Sequence, residues 1–244
     1  MLQKHRDRGV RLFLLSLVAF AFVPSGLAQL PLHQGLVASY TFQGSAVDAS
    51  PNGNDAVVHG ATLTAGHDGK AASAYTLDGT DDYLAIPHSE SLSLATRATF
   101  SLWLKHEPQV SPDDYYTLFE KSDPERGGHS RYGMWLIDNH VEVCLEAPDN
   151  STQNCLDSAG GLEKGWHHLA ASYNGVALRV YLDGKLSGER AVEPSGISQS
   201  NFEIFVGTDQ YAPTPIYTHG VIDELRIYNR ALSAAEIEAL SQVP

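Results

Sequence analysis

The chain has 244 residues and a formal net charge of −13 at neutral pH. So acidic a surface repels nucleic acid and anionic lipid, which excludes both as expected partners. The length suits one all-β domain after removal of a leader, because such domains often reach ~200 residues.

The N-terminus has the features of a secretory signal peptide. An apolar run at residues 12–23 is followed by Pro24, Gly26 and Ala28, and preceded by four basic residues, Lys4, Arg6, Arg8 and Arg11. The run is shorter than the ~20 residues that cross a bilayer. We therefore expect a signal peptide at residues 1–28, cleavage near Ala28, and a mature domain at 29–244 without a transmembrane segment. An uncleaved membrane anchor is the alternative.

Cleavage would make the mature chain more acidic. Residues 1–28 hold four basic side chains and one acidic side chain, so their loss changes the net charge by three, to −16. The expected location is secreted, either extracellular or periplasmic.

The first half of the mature chain alternates between short strands and turns. Residues 35–42 alternate as a strand, and residues 48–55 are a dense turn sequence. Residues 74–87 indicate a strand, a tight Asp-Gly turn and a second strand, and residues 98–105 indicate a central strand with one apolar face.

The second half continues in the same way. Strands are predicted at residues 116–119, 132–137, 141–145 and 202–207 and near Cys155. Residues 166–182 form a hairpin around an Asn-Gly turn at Asn174. Short strands with frequent turns predict a two-sheet antiparallel sandwich.

The C-terminal stretch, residues 220–237, combines a half-buried strand with a short helix. Asp223 has the phase of Leu225, which predicts that its carboxylate points toward the core and needs a partner. Ser233 and Glu236 form a capping box at the start of the helix.

Four segments resemble laminin G-like domains of the concanavalin A-like lectin/glucanase superfamily. They are the loop at residues 48–54, in which Pro51 and Asn52 alter the family pattern, the strand pair at 74–87, the hairpin at 166–185 and the final strand at 220–233. The resemblance covers nearly the whole mature chain. It implies an all-β, two-sheet antiparallel jelly-roll sandwich with a short C-terminal helix.

The two cysteines, Cys144 and Cys155, predict a disulfide in an exported protein. The alternative is a pair of free buried thiols. Asn150 begins a glycosylation sequon between them, which matters only in a cell that glycosylates.

A structural Ca²⁺ ion is the first site hypothesis. Calcium takes six to eight hard oxygen ligands, and the loop supplies Asp48, Asn52 and Asn54. The resemblance implies that this loop meets the C-terminal strand, so that Asp223 shares the ion. In the alternative reading, Asp48 and Asn52 make side-chain-to-backbone turns and Asp223 accepts loop N–H bonds.

No catalytic residues are expected. Glu120 and Asp123 are the nearest candidates for the carboxylate pair of a glucanase, but strand alternation points them to opposite sides, and Pro124 disfavours a central strand. His167 and His168, being adjacent in a strand, cannot easily hold one metal ion.

The predicted function is a non-catalytic binding module that recognises a glycan or an extracellular protein. A structural part of a cell-surface or matrix assembly is one alternative, and a polysaccharide hydrolase is another. The ligand contacts stay open, with loop aromatics and two rim acids as candidates: Tyr115, Tyr116, Trp135, Tyr211, Tyr217, Asp81 and Asp82.

Overall fold

The structure, a computed structural model, describes residues 31–107, 115–126, 129–149, 152–193, 196–212 and 214–243. The predicted signal peptide and the sequon residue Asn150 lie outside these ranges. Within them, two antiparallel sheets pack as a jelly-roll sandwich, and a short helix follows the last strand. The predicted fold class is confirmed. No helix in the described ranges is both long and apolar enough to cross a bilayer.

The elements follow one another closely along the chain. The strands are β1 (Leu36–Tyr40), β2 (Val57–His59), β3 (Thr62–Thr64), β4 (Ala74–Asp78), β5 (Tyr83–Ile86), β6 (Ala98–His106), β7 (Tyr115–Asp123), β8 (His129–Ile137), β9 (His140–Glu146), β10 (Gln153–Asp157), β11 (Gly165–Tyr173), β12 (Ala177–Leu182), β13 (Lys185–Ala191), β14 (Ile204–Val206), β15 (Thr208–Asp209), β16 (Ile216–Tyr217) and β17 (His219–Tyr228). The helix α1 spans Ala234–Leu240, and 3-10 turns lie at Glu90–Leu92 and Pro124–Arg126.

The two sheets have different strand orders. The first, sheet A, runs β13-β12-β11-β6-β17-β4-β3, with β1 also paired to β17. The second, sheet B, runs β10-β9-β8-β7-β14-β5-β2. Strands β15 and β16 form a separate hairpin. The apolar faces of both sheets meet in one core, where the Phe100 ring lies 5.1 Å from that of Phe119 and 5.2 Å from that of Tyr132.

The two ends of the domain meet, as the family resemblance implies. Strand β1 pairs antiparallel with β17, with Leu36 opposite Tyr228 and Tyr40 opposite Leu225. The predicted capping box is also present, since the Ser233 side chain accepts from the Glu236 N–H and the Glu236 carboxylate accepts from the Ser233 N–H.

The Asp-Gly turn after Asp78 joins the two sheets rather than closing a hairpin. Strand β4 pairs with β3 and β17 in sheet A, whereas β5 pairs with β2 and β14 in sheet B. The local sequence locates both strands, but their partners come from distant segments.

A bulge in β17 changes the predicted orientation of Asp223. The register shifts between Asp223 and Arg226, and Glu224 has a positive φ of 50°. Ile222, opposite Leu104, therefore faces the core, and Asp223 lies opposite Trp103 on the outer face of sheet A. The prediction of a core-facing Asp223 is wrong, because strict alternation does not continue through the bulge.

Candidate functional site

The outer face of sheet B carries a cavity of about 300 Å³ across strands β7 to β10. Side chains from these four strands and from the β15–β16 hairpin line it: Tyr115, Ser130, Trp135, Glu142, Cys144, Gln153, Cys155 and Asp209. Aromatic, hydroxyl, amide and carboxyl groups thus converge on one small space. This is the composition of a site that orients a polar ligand.

The predicted disulfide forms one wall of this cavity. Cys144 and Cys155 lie directly opposite each other on β9 and β10 and are bonded. The prediction of a disulfide is therefore confirmed. The covalent link fixes β10 to β9 and so holds Gln153 and Glu142 in place on the cavity wall.

Trp135 lies flat against the sheet because residue 133 is glycine. A Cβ atom at Gly133 would stand 2.4 Å from Cη2 of Trp135 and 2.9 Å from the Phe119 carbonyl oxygen. The residue is 3% exposed, and within the described ranges its Nε1–H has no hydrogen-bond partner. A buried donor without a partner costs about 1–3 kcal/mol.

Glu120 lies beside the Trp135 ring on the same face. Gly133, over which the ring lies, is the register partner of Glu120 on β7. The Ser130 hydroxyl donates to Glu120 Oε2 over 2.9 Å, while Oε1 is buried.

The β15–β16 hairpin brings Asp209 next to Glu120. Asp209 Oδ1 accepts the Tyr211 and Ala212 N–H groups, each over 3.0 Å, which fixes its carboxyl group. Burial, followed by the Asp209 charge and its hydrogen bond, raises the pKa of Glu120 to about 8. Two carboxyl groups hydrogen-bond only when one carries a proton, so Glu120 holds that proton at neutral pH.

Glu142 forms the opposite acidic wall. It lies across from Trp135 in the register of β8 and β9. Burial and then the charge of Asp157 raise the pKa of its carboxyl group. The cavity therefore has carboxyl groups on two sides.

Near the cavity, Arg131 forms ion pairs with two other acidic side chains, Asp123 and Glu146. Its buried guanidinium contacts Asp123 Oδ2 over 3.3 Å and also bonds to Glu146. Asp123 and Glu120 thus have separate partners. Sequence reasoning tested Glu120 against Asp123 and missed Asp209, because only the tertiary fold places the hairpin over β7.

The aromatic candidates divide into two groups. Tyr115 and Trp135 line the cavity, and burial raises the pKa of the Tyr115 hydroxyl. The other three candidates do not line the cavity. Tyr211 packs edge-on against Phe205, with ring centroids 5.5 Å apart. Tyr217 lies beside Tyr83, and Tyr116 packs against the core.

The rim acids lie in the turn that joins the sheets. Asp82 accepts the Asp78 N–H, Asp78 accepts the Thr80 and Asp81 N–H groups, and these three carboxylates approach one another closely. Their hydrogen bonds are those of an Asp-rich turn.

Three of the predicted calcium ligands lie together in the opening loop. Asp48 Oδ1 accepts the Ser39 and Ser50 N–H groups, and Oδ2 accepts the Ser50 hydroxyl and the Asn54 N–H. Asn52 and Asn54 both donate their side-chain amides to the Val37 carbonyl. All four acceptor positions of Asp48 are occupied by donors, so an ion would have to replace some of them.

The fourth predicted calcium ligand, Asp223, has hydrogen-bond partners different from those of Asp48, Asn52 and Asn54. Its Oδ2 accepts the His67 N–H and contacts His67 Nδ1 at 2.8 Å, and its Oδ1 accepts the Glu224 N–H. The His67 ring stacks on Trp103 at 4.3 Å. These contacts match the hydrogen-bonded alternative, and the calcium site stays a prediction.

The two adjacent histidines also have separate partners. His168 is buried with Nε2 2.9 Å from the Ser101 hydroxyl, and burial lowers its pKa to about 3. His167 lies between Asp183 Oδ2 and the Glu163 carbonyl. The two imidazole rings therefore contact different groups, and their hydrogen bonds link neighbouring parts of the fold.

The larger depressions have no buried polar atom without a hydrogen-bond partner among their described lining residues. One of about 730 Å³ lies at the loops around Arg97, Asn174 and Arg230. There Arg230 is already bonded to the Gln34 and Pro31 carbonyls and to Glu236. We therefore take the sheet B cavity as the candidate site.

The fold and this site define a jelly-roll sandwich of the lectin-like kind. The chain belongs to the laminin G family of the concanavalin A-like lectin/glucanases superfamily, whose family model matches residues 78–238. No curated protein matches the chain.

Solved structures share the fold at low sequence identity. The binding domain of Paraclostridial Mosquitocidal Protein 1 is 19% identical with a TM-score of 0.68, and the alignment covers 86% of this chain and 52% of that one. The binding domain of botulinum neurotoxin DC, solved in complex with rat synaptotagmin II, is 16% identical with a TM-score of 0.68 and the same coverage.

A third structure concerns botulinum neurotoxin type C, whose cell entry depends on interaction with two ganglioside molecules. It is 15% identical with a TM-score of 0.67, covering 86% of this chain and 51% of that one. This chain thus spans about half the length of these structures, and the similarity shows the fold.

Proposed function

We propose that this protein is a non-catalytic binding module that takes one sugar unit of a glycan in the sheet B cavity. The observation that carries the proposal is the cavity itself, in which Trp135 lies among hydroxyl, amide and carboxyl side chains. Sugar hydroxyl groups can donate to the carboxyl groups and accept from the hydroxyl and amide groups of this cavity.

The size of the cavity supports a single sugar ring as the ligand. Its volume of about 300 Å³ lies at the lower end of the range for ligand sites, ~300–1,000 Å³. A protein ligand would instead need an interface of roughly 800 Å² per partner with an apolar centre. Among the similar structures, one is a complex with synaptotagmin II and one concerns an interaction with gangliosides; the small polar cavity supports a glycan.

The carboxyl geometry supports binding without hydrolysis. Glycosidases hold their two carboxyl groups roughly 5–5.5 or 6.5–9.5 Å apart, with the sugar between them. The side-chain contact with Asp209 that helps to raise the pKa of Glu120 differs from this separated arrangement. Hydrolysis of a polysaccharide panel, abolished by Glu120→Gln, would favour the enzyme.

A pair of tryptophan variants tests the site. Trp135→Phe keeps an aromatic ring but removes the Nε1–H, and Trp166→Phe is the matched control away from the cavity. A glycan array run with and without calcium would identify a ligand, and calorimetry would then compare the variants. We expect Trp135→Phe to weaken binding at least tenfold and Trp166→Phe to leave it unchanged.

Two results would contradict this proposal. One is equal affinity of the two variants, provided that both keep the melting temperature of the parent within a few degrees. The other is a blank array together with a co-purified protein partner, which would favour the structural role in a cell-surface or matrix assembly.

Secretion and calcium binding are further parts of the proposal. The disulfide supports an oxidising location, because such bonds persist outside the reducing cytoplasm. The oxygen-rich loop around Asp48 and Asn54 supports a stabilising Ca²⁺ ion, for which the ion has to replace bound N–H donors. N-terminal sequencing of the exported protein tests the first part, and melting with calcium or a chelator tests the second.

A further inference from the structure

The disulfide and a neighbouring carboxyl group form a cluster of potential metal ligands. Cys144, Cys155 and Glu142 each place one ligand atom within 4.8 Å of the other two. Glu142 and Cys144 are two positions apart on β9, so strand alternation puts both side chains on one face. Cys155 lies directly opposite Cys144 on β10. All three side chains line the sheet B cavity, so two sulfur atoms and a carboxyl group meet at its wall.

Strand β10 has attachments other than the disulfide. Residues 142–146 and 153–157 pair at five consecutive positions. The Arg190 guanidinium donates to the Cys155 carbonyl over 2.7 Å, and the Leu156 side chain packs against the core. Opening of the disulfide would therefore leave the two thiols opposite each other on the same face.

We propose that the reduced protein binds one Zn²⁺ ion through the Cys144 and Cys155 thiolates and the Glu142 carboxylate, with water in the fourth position. Zinc holds sulfur at about 2.3 Å in a tetrahedral arrangement, which places two thiolates roughly 3.8 Å apart. The ligand atoms already lie within 4.8 Å of one another, so the site can form by rotation of side chains. The inference does not depend on glycan binding.

The chemistry of the cluster selects zinc over the alkaline-earth ions. Ca²⁺ and Mg²⁺ take oxygen ligands, whereas thiolates favour softer ions such as Zn²⁺. Asp157 lies opposite Glu142 in the register of β9 and β10 and adds a second acidic side chain to the neighbourhood. The site is therefore distinct in both place and ligand type from the oxygen-rich loop around Asp48.

The disulfide acts as a switch for this site, because thiolates bind metal ions and the disulfide offers none. A dithiol reductant gives two electrons and two protons to the Cys144–Cys155 bond, and closes to its own disulfide. Zn²⁺ then replaces the two thiol protons, which leave to solvent. Cys155 is half-buried and its side chain lines the cavity, which gives the reductant a route to the bond.

Metal titration before and after reduction tests the inference. The full chain is reduced with dithiothreitol, freed of the reductant under argon, and titrated with Co²⁺ as a spectroscopic substitute for Zn²⁺. We expect sulfur-to-cobalt charge-transfer absorption that saturates at one Co²⁺ per reduced chain and disappears when Zn²⁺ displaces the Co²⁺. The oxidised protein should show no such absorption. Zn²⁺ should also raise the melting temperature of the reduced protein, because the ion links β9 to β10 again.

Three variants locate the ligands. Cys144→Ser removes one thiolate and should abolish the 1:1 absorption. Glu142→Gln keeps the side-chain size but removes the carboxylate, and it should weaken Co²⁺ binding by at least the roughly tenfold that loss of a residue supporting a metal ligand costs. Glu238→Gln removes an exposed carboxylate on α1 and should bind Co²⁺ like the parent.

Several results would overturn the zinc site. They are absence of charge-transfer absorption in the reduced protein, equal Co²⁺ affinity of Glu142→Gln and the parent, and a melting temperature of the reduced protein that Zn²⁺ leaves unchanged. Circular dichroism follows the fold during reduction, and loss of the strand signal would also refute the site, because the ligands depend on the β9–β10 register. Glycan binding is measured on the oxidised protein, so none of these results bears on the proposed function.

Discussion

Replacing Glu120 with glutamine should change how the stability of the protein depends on pH. The fold raises the pKa of Glu120 from 4.5 to about 8, so between these values the folded protein binds more protons than the unfolded chain. The free energy of unfolding then falls as pH rises. The stabilising contribution of the protonated carboxyl is full below pH 4.5 and is lost as pH passes through about 8.

The magnitude follows from the size of this shift. One pKa unit corresponds to about 1.4 kcal/mol, so the change from 4.5 to about 8 gives at most roughly 5 kcal/mol of stability lost across the interval. Glu120 is 1% exposed, so solvent screening reduces this value little. Glutamine has nearly the same shape and does not titrate, so Glu120→Gln removes this contribution.

Urea unfolding from pH 5 to pH 9 measures the effect. The wild-type free energy of unfolding should fall relative to Glu120→Gln by several kcal/mol over this range, and the variant should be the more stable protein at pH 9. The comparison cancels the titration of other buried groups, including His168 and Lys121, whose lowered pKa values affect both proteins alike. Parallel stability curves for the two proteins would refute the assignment of the proton to Glu120.

Three other predictions concern the packing, the disulfide and the ion. Gly133→Ala should displace the Trp135 indole, lower stability by about 1–3 kcal/mol and abolish glycan binding; unchanged binding would contradict the packing argument. Replacing both Cys144 and Cys155 by serine should lower the free energy of unfolding by ~3 kcal/mol, measured by urea unfolding, and equal stability would show that the link adds nothing. Calcium should raise the melting temperature, and Asp48→Ala should remove that increase, whereas a melting temperature unaffected by chelation would leave the Asp48 hydrogen bonds as the full explanation of the loop.

The amino-acid sequence by itself determines the local features of this domain. Alternating apolar residues place the strands, the Asn-Gly turn places the β11–β12 hairpin, and Ser233 with Glu236 begins the helix. These features depend on residues close together in the chain, where backbone preferences and short-range hydrogen bonds act directly. The Cys144–Cys155 bond was predictable from composition, because the sequence has two cysteines and an N-terminus with the features of a signal peptide.

Only the tertiary structure decided which side chains share a site. The bulge at Glu224 turned Asp223 toward His67 and away from the core, and the Asp-Gly turn after Asp78 divided its strands between two sheets. Asp209 reaches Glu120 because the β15–β16 hairpin lies over β7. Such contacts join distant segments through register and strand order, which no local pattern of alternation encodes.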